Sequence, residues 1–359
     1  MRAVRLALCV QGMLLAGMGR TAIAQAPVGA PAARQGTAAS ATLTPSAPAL
    51  ESAPDIPFDP ADLLFASPTR IDHIGRVVVA VDVNGQGPFR FIVDTGANYS
   101  TISPELATLL KLTPSLTDGI VVNGITGTAQ EPAVDIARLQ AGDLVMESLR
   151  VPVIWATLMA GAQGILGVAD LDNDRLFVDF ERNKVQIVRS GRAYLSDDFV
   201  RIPAKRLSGG LVSVDGRVGN VPVVAIIDTG AARSIANKAL RDALEAHGRR
   251  EVVESRDVYG ATPTIASGEL EKAPLIDFGD LQIGSVSLVF GDFHIFDVWG
   301  LKDRPALIIG MDILGTVRAL SIDFREPAVY LSSKYNFGPS VRAGSPCRLL
   351  GNREGHCFS

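Results

Sequence analysis

The chain has 359 residues, long enough for two ordinary domains and a sizeable core. Lys and Arg total 34 against 38 Asp and Glu, a formal charge of −4, and no basic run forms a stripe; nucleic acid is not an expected partner. Abundant Gly (35) and Pro (21) in a chain that is 47% apolar favour many short strands and turns, so the expected class is mainly β.

The opening MRAVRLALCVQGMLLAGMGRTAIAQA carries Arg2 and Arg5, then an apolar stretch, then Ala22, Ala24 and Ala26. This is the three-part layout of a secretory signal, with cleavage expected after Ala24 or Ala26. Gln11 and nearby glycines break the stretch short of the roughly 20 apolar residues that a membrane span needs. The reading is signal peptide over 1–26, no integral span once it is removed, and an exported chain, periplasmic or secreted. Residues 27–69, rich in Ala, Pro, Ser and Thr, cannot bury enough surface to fold alone and read as a disordered linker. With one arginine against Glu51, Asp55, Asp59 and Asp62, the linker does not suggest a basic inhibitory propeptide.

Beyond the linker one unit occurs twice. FIVDTGANYSTI and AIIDTGAARSIA superpose Asp94 on Asp228, 134 residues apart. Each is preceded by a strand pair with a Gly turn, RVVVAVDVNGQGPFRF and GLVSVDGRVGNVPVVA, which reads as a β-hairpin. Each is followed by a short helix, Pro104 to Leu110 and Lys238 to His247, and then by a glycine hairpin, VVNGITGTA with Gly124 and Gly127 and VYGATPT with Tyr259 and Gly260. Further on, GILGVADLDNDRLFVDF matches IIGMDILGTVRALSIDF, setting Gly167 against Gly310 and Asp179-Phe180 against Asp323-Phe324, with a helix expected after each glycine. The lobes are drawn as 70–190 and 191–335, with a tail over 336–359. Cys347 and Cys357 in that tail form an even pair that an oxidising compartment could bridge.

Each Asp-Thr-Gly directly follows an apolar strand, so its aspartate leaves the sheet on a turn whose glycine permits close backbone approach. One copy reads equally well as a turn cap. Two copies, in lobes packed about a pseudo-two-fold axis, bring two carboxylates together, and these cannot both ionise. The four histidines are scattered, without HExxH or Cys/His ligand spacing, and neither a Walker phosphate loop nor a GxSxG elbow is present. No metal or other cofactor is expected.

The paired IVDTGA and IIDTGA, each followed at a distance by an apolar-apolar-Gly element (ILG, IIG), resemble the aspartic peptidases over roughly residues 70 to 335. The resemblance implies two homologous β-barrel-like lobes of the acid-protease fold, with Asp94 and Asp228 as the catalytic pair. Thr95 and Thr229 would brace the two loops, Gly96 and Gly230 would offer N–H groups to the carboxylates, and Gly124, Gly127, Tyr259 and Gly260 would belong to hairpins closing over an extended polypeptide. The shared-proton argument is the one worked out for that family.

Ala97 and Ala231, and a hairpin in both lobes, make the likeness closer to the retroviral type than to pepsin, which carries a hydroxyl residue after the glycine. A less acidic working range than pepsin's follows. Arg233 would oppose that effect if it faced the dyad; otherwise it is a solvated or interlobe arginine. The implied activity is endopeptidase action by a monomer that holds both dyad halves; the alternative is a non-catalytic peptide-binding module on the same lobes.

Overall fold

The computed structural model describes residues 8–9, 63–68, 70–72, 75–155, 159–169, 171–191, 195, 199–246, 252–279, 281–332 and 347–350. The duplicated hairpins form as their turn residues require. Val77–Val83 is buried over its first three residues and then alternates from Val79 to Val83, and it returns as Gln86–Val93 through Asn84 and Gly85, both at positive φ (52° and 74°), the geometry that a tight two-residue hairpin needs. In the second lobe Val212–Val218 returns as Val221–Ile227, with Gly219 at φ 57°.

The end of each returning strand is fixed in the same way in both lobes. Gly164–Leu166 lies parallel to Phe91–Val93 and antiparallel to Thr101–Ile102. Ala306–Ile309 lies parallel to Val224–Ile227, and its Leu307 and Ile308 pair antiparallel with Ala236 and Ile235. The strand that leads into each Asp-Thr-Gly is thus buttressed by the apolar-apolar-Gly element from late in the same lobe.

The helices after the motifs are present and short. Pro104–Leu109 has proline in its first turn and the Ser103 hydroxyl capping Leu106 N–H; Lys238–Glu245 is capped by Asn237 on Leu240 N–H. The helix expected after Gly310 is Met311–Leu314, but after Gly167 the described residues make only a turn, closed by Leu171 N–H to Val168 O (3.1 Å). The reason is length: the next strand begins at Asp174 in the first lobe and only at Ala319 in the second, leaving less chain after Gly167. A further helix, His294–Val298, was not expected.

A six-stranded antiparallel sheet joins the lobes, in the order Phe199–Arg206, Ala328–Ser332, Ala319–Asp323, Asp174–Asp179, Lys184–Arg189, Leu63–Pro68. Its central pair, Arg175↔Asp323 through Asp179↔Ala319, runs between the halves. Asp179 and Asp323, the repeat landmarks, each cap the turn after their strand: Asp179 accepts from Glu181 and Arg182 N–H, Asp323 from Arg325 and Glu326 N–H. The outermost strand corrects the linker boundary. Leu63–Pro68, assigned by composition to a disordered linker ending at 69, is ordered by backbone pairing with Lys184–Arg189. Cys347 begins the strand Cys347–Leu350, whereas Cys357 and the signal region other than Leu8 and Cys9 lie outside the described residues.

Candidate active site

Asp94 and Asp228 emerge from their strands onto two loops that face one another. Asp94 N–H donates to Leu166 O and Asp228 N–H to Ile309 O, both at 3.0 Å. Gly96 N–H donates to Asp94 Oδ1 and Gly230 N–H to Asp228 Oδ1, both at 2.8 Å. The loops then exchange contacts. A Cβ on Gly96 would lie 2.4 Å from Asp228 Oδ2, and one on Gly230 would lie 2.1 Å from the Asp94 carboxyl carbon. No side chain fits at either position, so the third motif residue must be glycine for the carboxylates to meet.

The threonines lock this approach. Thr95 Oγ1 donates to Ile227 O (2.8 Å) and accepts from Thr229 N–H (3.0 Å); Thr229 Oγ1 donates to Val93 O (2.7 Å) and accepts from Thr95 N–H (3.1 Å). Four buried bonds cross the pseudo-two-fold in reciprocal pairs, each hydroxyl both giving and receiving.

Both aspartates are fully buried. Among the described residues no N–H group donates to Oδ2 of Asp228. Burial first, and then the like charge and hydrogen bond of Asp94, hold the Asp228 pKa well above the usual carboxylate range, against the opposing N–H bonds from Ala231 and Gly230. The pair therefore retains a proton to higher pH than an exposed aspartate would. Arg233 is not among the groups acting on Asp228; its charge is felt by Asp312.

A second doubled pair went unread in the sequence. Ser100 and Ser234 each stand six residues after the aspartate, and their hydroxyls accept from Gly167 N–H (3.2 Å) and Gly310 N–H (2.9 Å). Each pins the apolar-apolar-Gly element to the motif loop. In the second lobe the network extends further: Ser234 Oγ donates to Asp312 Oδ1 at 2.7 Å. In the first lobe Asn98, not a serine–aspartate pair, makes the extra tie, donating across the interface to Gly209 O (2.5 Å).

The glycine hairpins close over the dyad and touch. Strands Ser115–Asn123 and Thr128–Ala141 carry the first tip, where Gly124 N–H donates to Gly127 O (2.8 Å); Val252–Tyr259 and Ile265–Lys272 carry the second. Thr126 and Thr262 are hydrogen-bonded at 3.2 Å, and a Cβ on Gly124 or Gly260 would lie 3.0 or 3.1 Å from the backbone nitrogen of Ala261 or Ile125. Each tip is buried in the opposite lobe. Ile125 belongs to a buried apolar cluster that includes Ala231, Ile295 and Phe296, and Ala261 to one that includes Ala97, Ile154 and Met159. The first tip is also latched by polar groups: Thr128 Oγ1 donates to Asn123 Oδ1 and meets His294 Nε2, both at 2.7 Å, and Ile295 N–H reaches Ile125 O at 3.4 Å. Tyr259 ends its strand beside the second tip.

A bilobal, mainly β fold with one buried carboxyl pair at its pseudo-two-fold and a hairpin over it from each lobe defines a protease-type hydrolase of the retropepsin-like kind. The aspartyl protease family model matches residues 79–169 and 214–313, one segment in each lobe, and the chain belongs to that family. No curated protein matches it.

Proposed function

We propose that the chain is an exported aspartic endopeptidase that cuts extended polypeptide segments with a water activated by the Asp94–Asp228 pair. The observation that carries this reading is the buried, reciprocally braced dyad; two carboxyls so placed cannot both ionise, and in this reading they share one proton. The ionised carboxyl takes a proton from the water as its oxygen attacks the scissile carbonyl carbon. The protonated carboxyl gives its proton to the carbonyl oxygen, forming a neutral tetrahedral diol. As the C–N bond breaks, the carboxyl that took the water's proton gives it to the amide nitrogen and the other carboxylate takes a proton from one diol hydroxyl, so the product carboxylic acid and amine leave and the dyad again holds one proton.

Because the tips meet and bury both aspartates, the flaps part to admit substrate and then close on it. The polypeptide lies as an added strand whose main chain bonds to the flaps. Both dyad halves belong to one chain, so a monomer suffices, working in the periplasm or the medium after the signal is removed. Ala97 and Ala231 stand where a hydroxyl donor would favour the ionised form, so the pair keeps its proton more readily and works at less acidic pH than pepsin's.

The test is digestion of a denatured protein mixture across roughly pH 3 to 8 by the mature protein, by Asp94→Asn and by Asp228→Asn. Cleavage lost in both variants, and blocked by a hydroxyl-bearing transition-state mimic, is the expected result. Peptide binding without cleavage at any pH would replace this reading with that of a binding module, and an optimum near about pH 2 would refute the pKa argument.

A further inference from the structure

The two ends of the cleft differ in charge. Arg233 stands five residues after Asp228, as Tyr99 does after Asp94, and the two backbones are placed alike: a Cβ on Gly310 would lie 2.7 Å from the Arg233 carbonyl carbon, and one on Gly167 would lie 2.5 Å from that of Tyr99. Arg256 stands four residues before the tip glycine Gly260, as Ile120 does before Gly124. In the first lobe Tyr99 and Ile120 both pack against the apolar cluster that includes Ala97, beside the motif, and Val122 of the flap. At the corresponding places the second lobe carries two arginines.

Neither arginine is used up by the fold. Arg233 is exposed and, among the described residues, forms no ion pair; its charge is felt by Asp312, whose carboxyl is held to a raised pKa by burial and so opposes the guanidinium less than an exposed aspartate would. Arg256 shares a strand face with Val258, two residues on, and Val258 is fully buried in the cluster that includes Ile125 and Ala231. The arginine therefore lies on the face that the second flap turns inward. Glu254 accepts from its Nη2, but its Nε is buried and has no acceptor among the described residues. A buried donor left unfilled costs stability, and a ligand that brings the acceptor recovers it. The pseudo-two-fold passes between Asp94 and Asp228, so a polypeptide extended over them runs from the Tyr99 and Ile120 side to the Arg233 and Arg256 side.

We infer that the Arg233 and Arg256 end of the cleft takes a carboxylate-bearing side chain, Asp or Glu, of the polypeptide being cleaved, at one fixed position on one side of the scissile bond. The occupant rests on the endopeptidase reading, whereas the preference for an anion is tested separately. A guanidinium meets a carboxylate with a fork of charged N–H donors, and an amide of the same shape forgoes the charge, so Glu set against Gln isolates the effect. Tyr99 and Ile120 give the other end no such preference.

The test uses peptides blocked at both ends that carry Glu, Gln or Lys at one successive position each. Cleavage is followed by mass spectrometry, and binding of the same peptides to the Asp94→Asn protein by fluorescence anisotropy. One position, on one side of the bond cut, should favour Glu over Gln by about tenfold or more in both measurements, the range of a hydrogen bond to a charged group, and added salt should shrink that preference. Arg233→Met and Arg256→Met should each lower it, Arg233→Lys should keep part of it, and Arg233→Glu should turn it toward Lys. If no position distinguishes Glu from Gln, or if neither methionine variant alters the preference, the anion site is refuted even where cleavage proceeds. A preference confined to companion peptides with a free C-terminus also overturns it, because the ligand is then a terminal carboxylate and not a side chain. If binding discriminates but the unmodified dyad cuts no peptide, the anion site stands and the endopeptidase reading falls.

Discussion

Asp228 sits where burial works against its charge, and that has a cost in stability whose pH dependence has a definite sign. The folded chain keeps a proton that the unfolded chain releases near pH ~3.9, so the folded state binds more protons above that value. Stability therefore falls as pH rises from there through the raised folded value, and is unaffected by this group below it. Asp228→Asn should raise the melting temperature at neutral pH, with a gain that shrinks to nothing at about pH 3.9, in calorimetric scans across the range. A gain independent of pH would show that charge burial is not its source. The bracing threonines act in the opposite direction. Thr95→Ala removes a hydroxyl that serves Ile227 O and Thr229 N–H, leaving both buried and unpaired, and should cost about 2–4 kcal/mol in urea unfolding, with Thr95→Ser recovering most of it. These roles were legible because both motifs are identical over Asp-Thr-Gly-Ala. Ser100 and Ser234 were equally visible as a repeated seventh residue, but a serine among polar neighbours carries no signal until its partner, a backbone N–H some 70 residues on, is placed beside it.

At the scale of elements the flaps are the informative case. Sequence located both hairpins by their glycines but could not show that each tip is buried in the other lobe, because that contact depends on how the lobes pack and not on local pattern. The His294–Val298 helix was hidden for a related reason: it is one turn long and has no side-chain cap to announce it. Ile125→Ala should loosen the first flap by about 2 kcal/mol or more, since it withdraws a fully buried side chain from the second lobe. Amide exchange along Ser115–Asn123 should then quicken roughly thirtyfold, while the interlobe sheet stays unchanged. Equal acceleration in both regions would mean that the substitution unfolds the molecule and does not open a flap.

Across the whole molecule the lobes are held by the shared sheet as well as by the dyad loops. Asp323 of the second lobe accepts from Arg175 of the first at 2.5 and 3.1 Å and from Ser190 at 2.7 Å, and the Arg175 guanidinium lies 5.2 Å from the Tyr330 ring. The Arg175 and Asp323 side chains are almost wholly buried, so Asp323→Ala strands a cation in the interface and should cost about 3–5 kcal/mol. Trp155 and Trp299, read one at a time in single-tryptophan variants, should report the same denaturation midpoint, before and after that substitution. Separate midpoints would show lobes that melt independently. The sheet was only half legible from the repeat. Its outer strand on the first-lobe side was lost to composition, although Phe65 falls 134 residues before Phe199, at the same offset as the two aspartates.

A peptide has a direction, and a perfectly two-fold cleft could not perceive it: the chain would sit equally well either way round, with half of its encounters in each sense. Ile125 on one tip and Ala261 on the other remove that degeneracy. For the endopeptidase proposed above, the two unlike tips would give the site a defined left and right, so that it would read its substrate as text, in one orientation only.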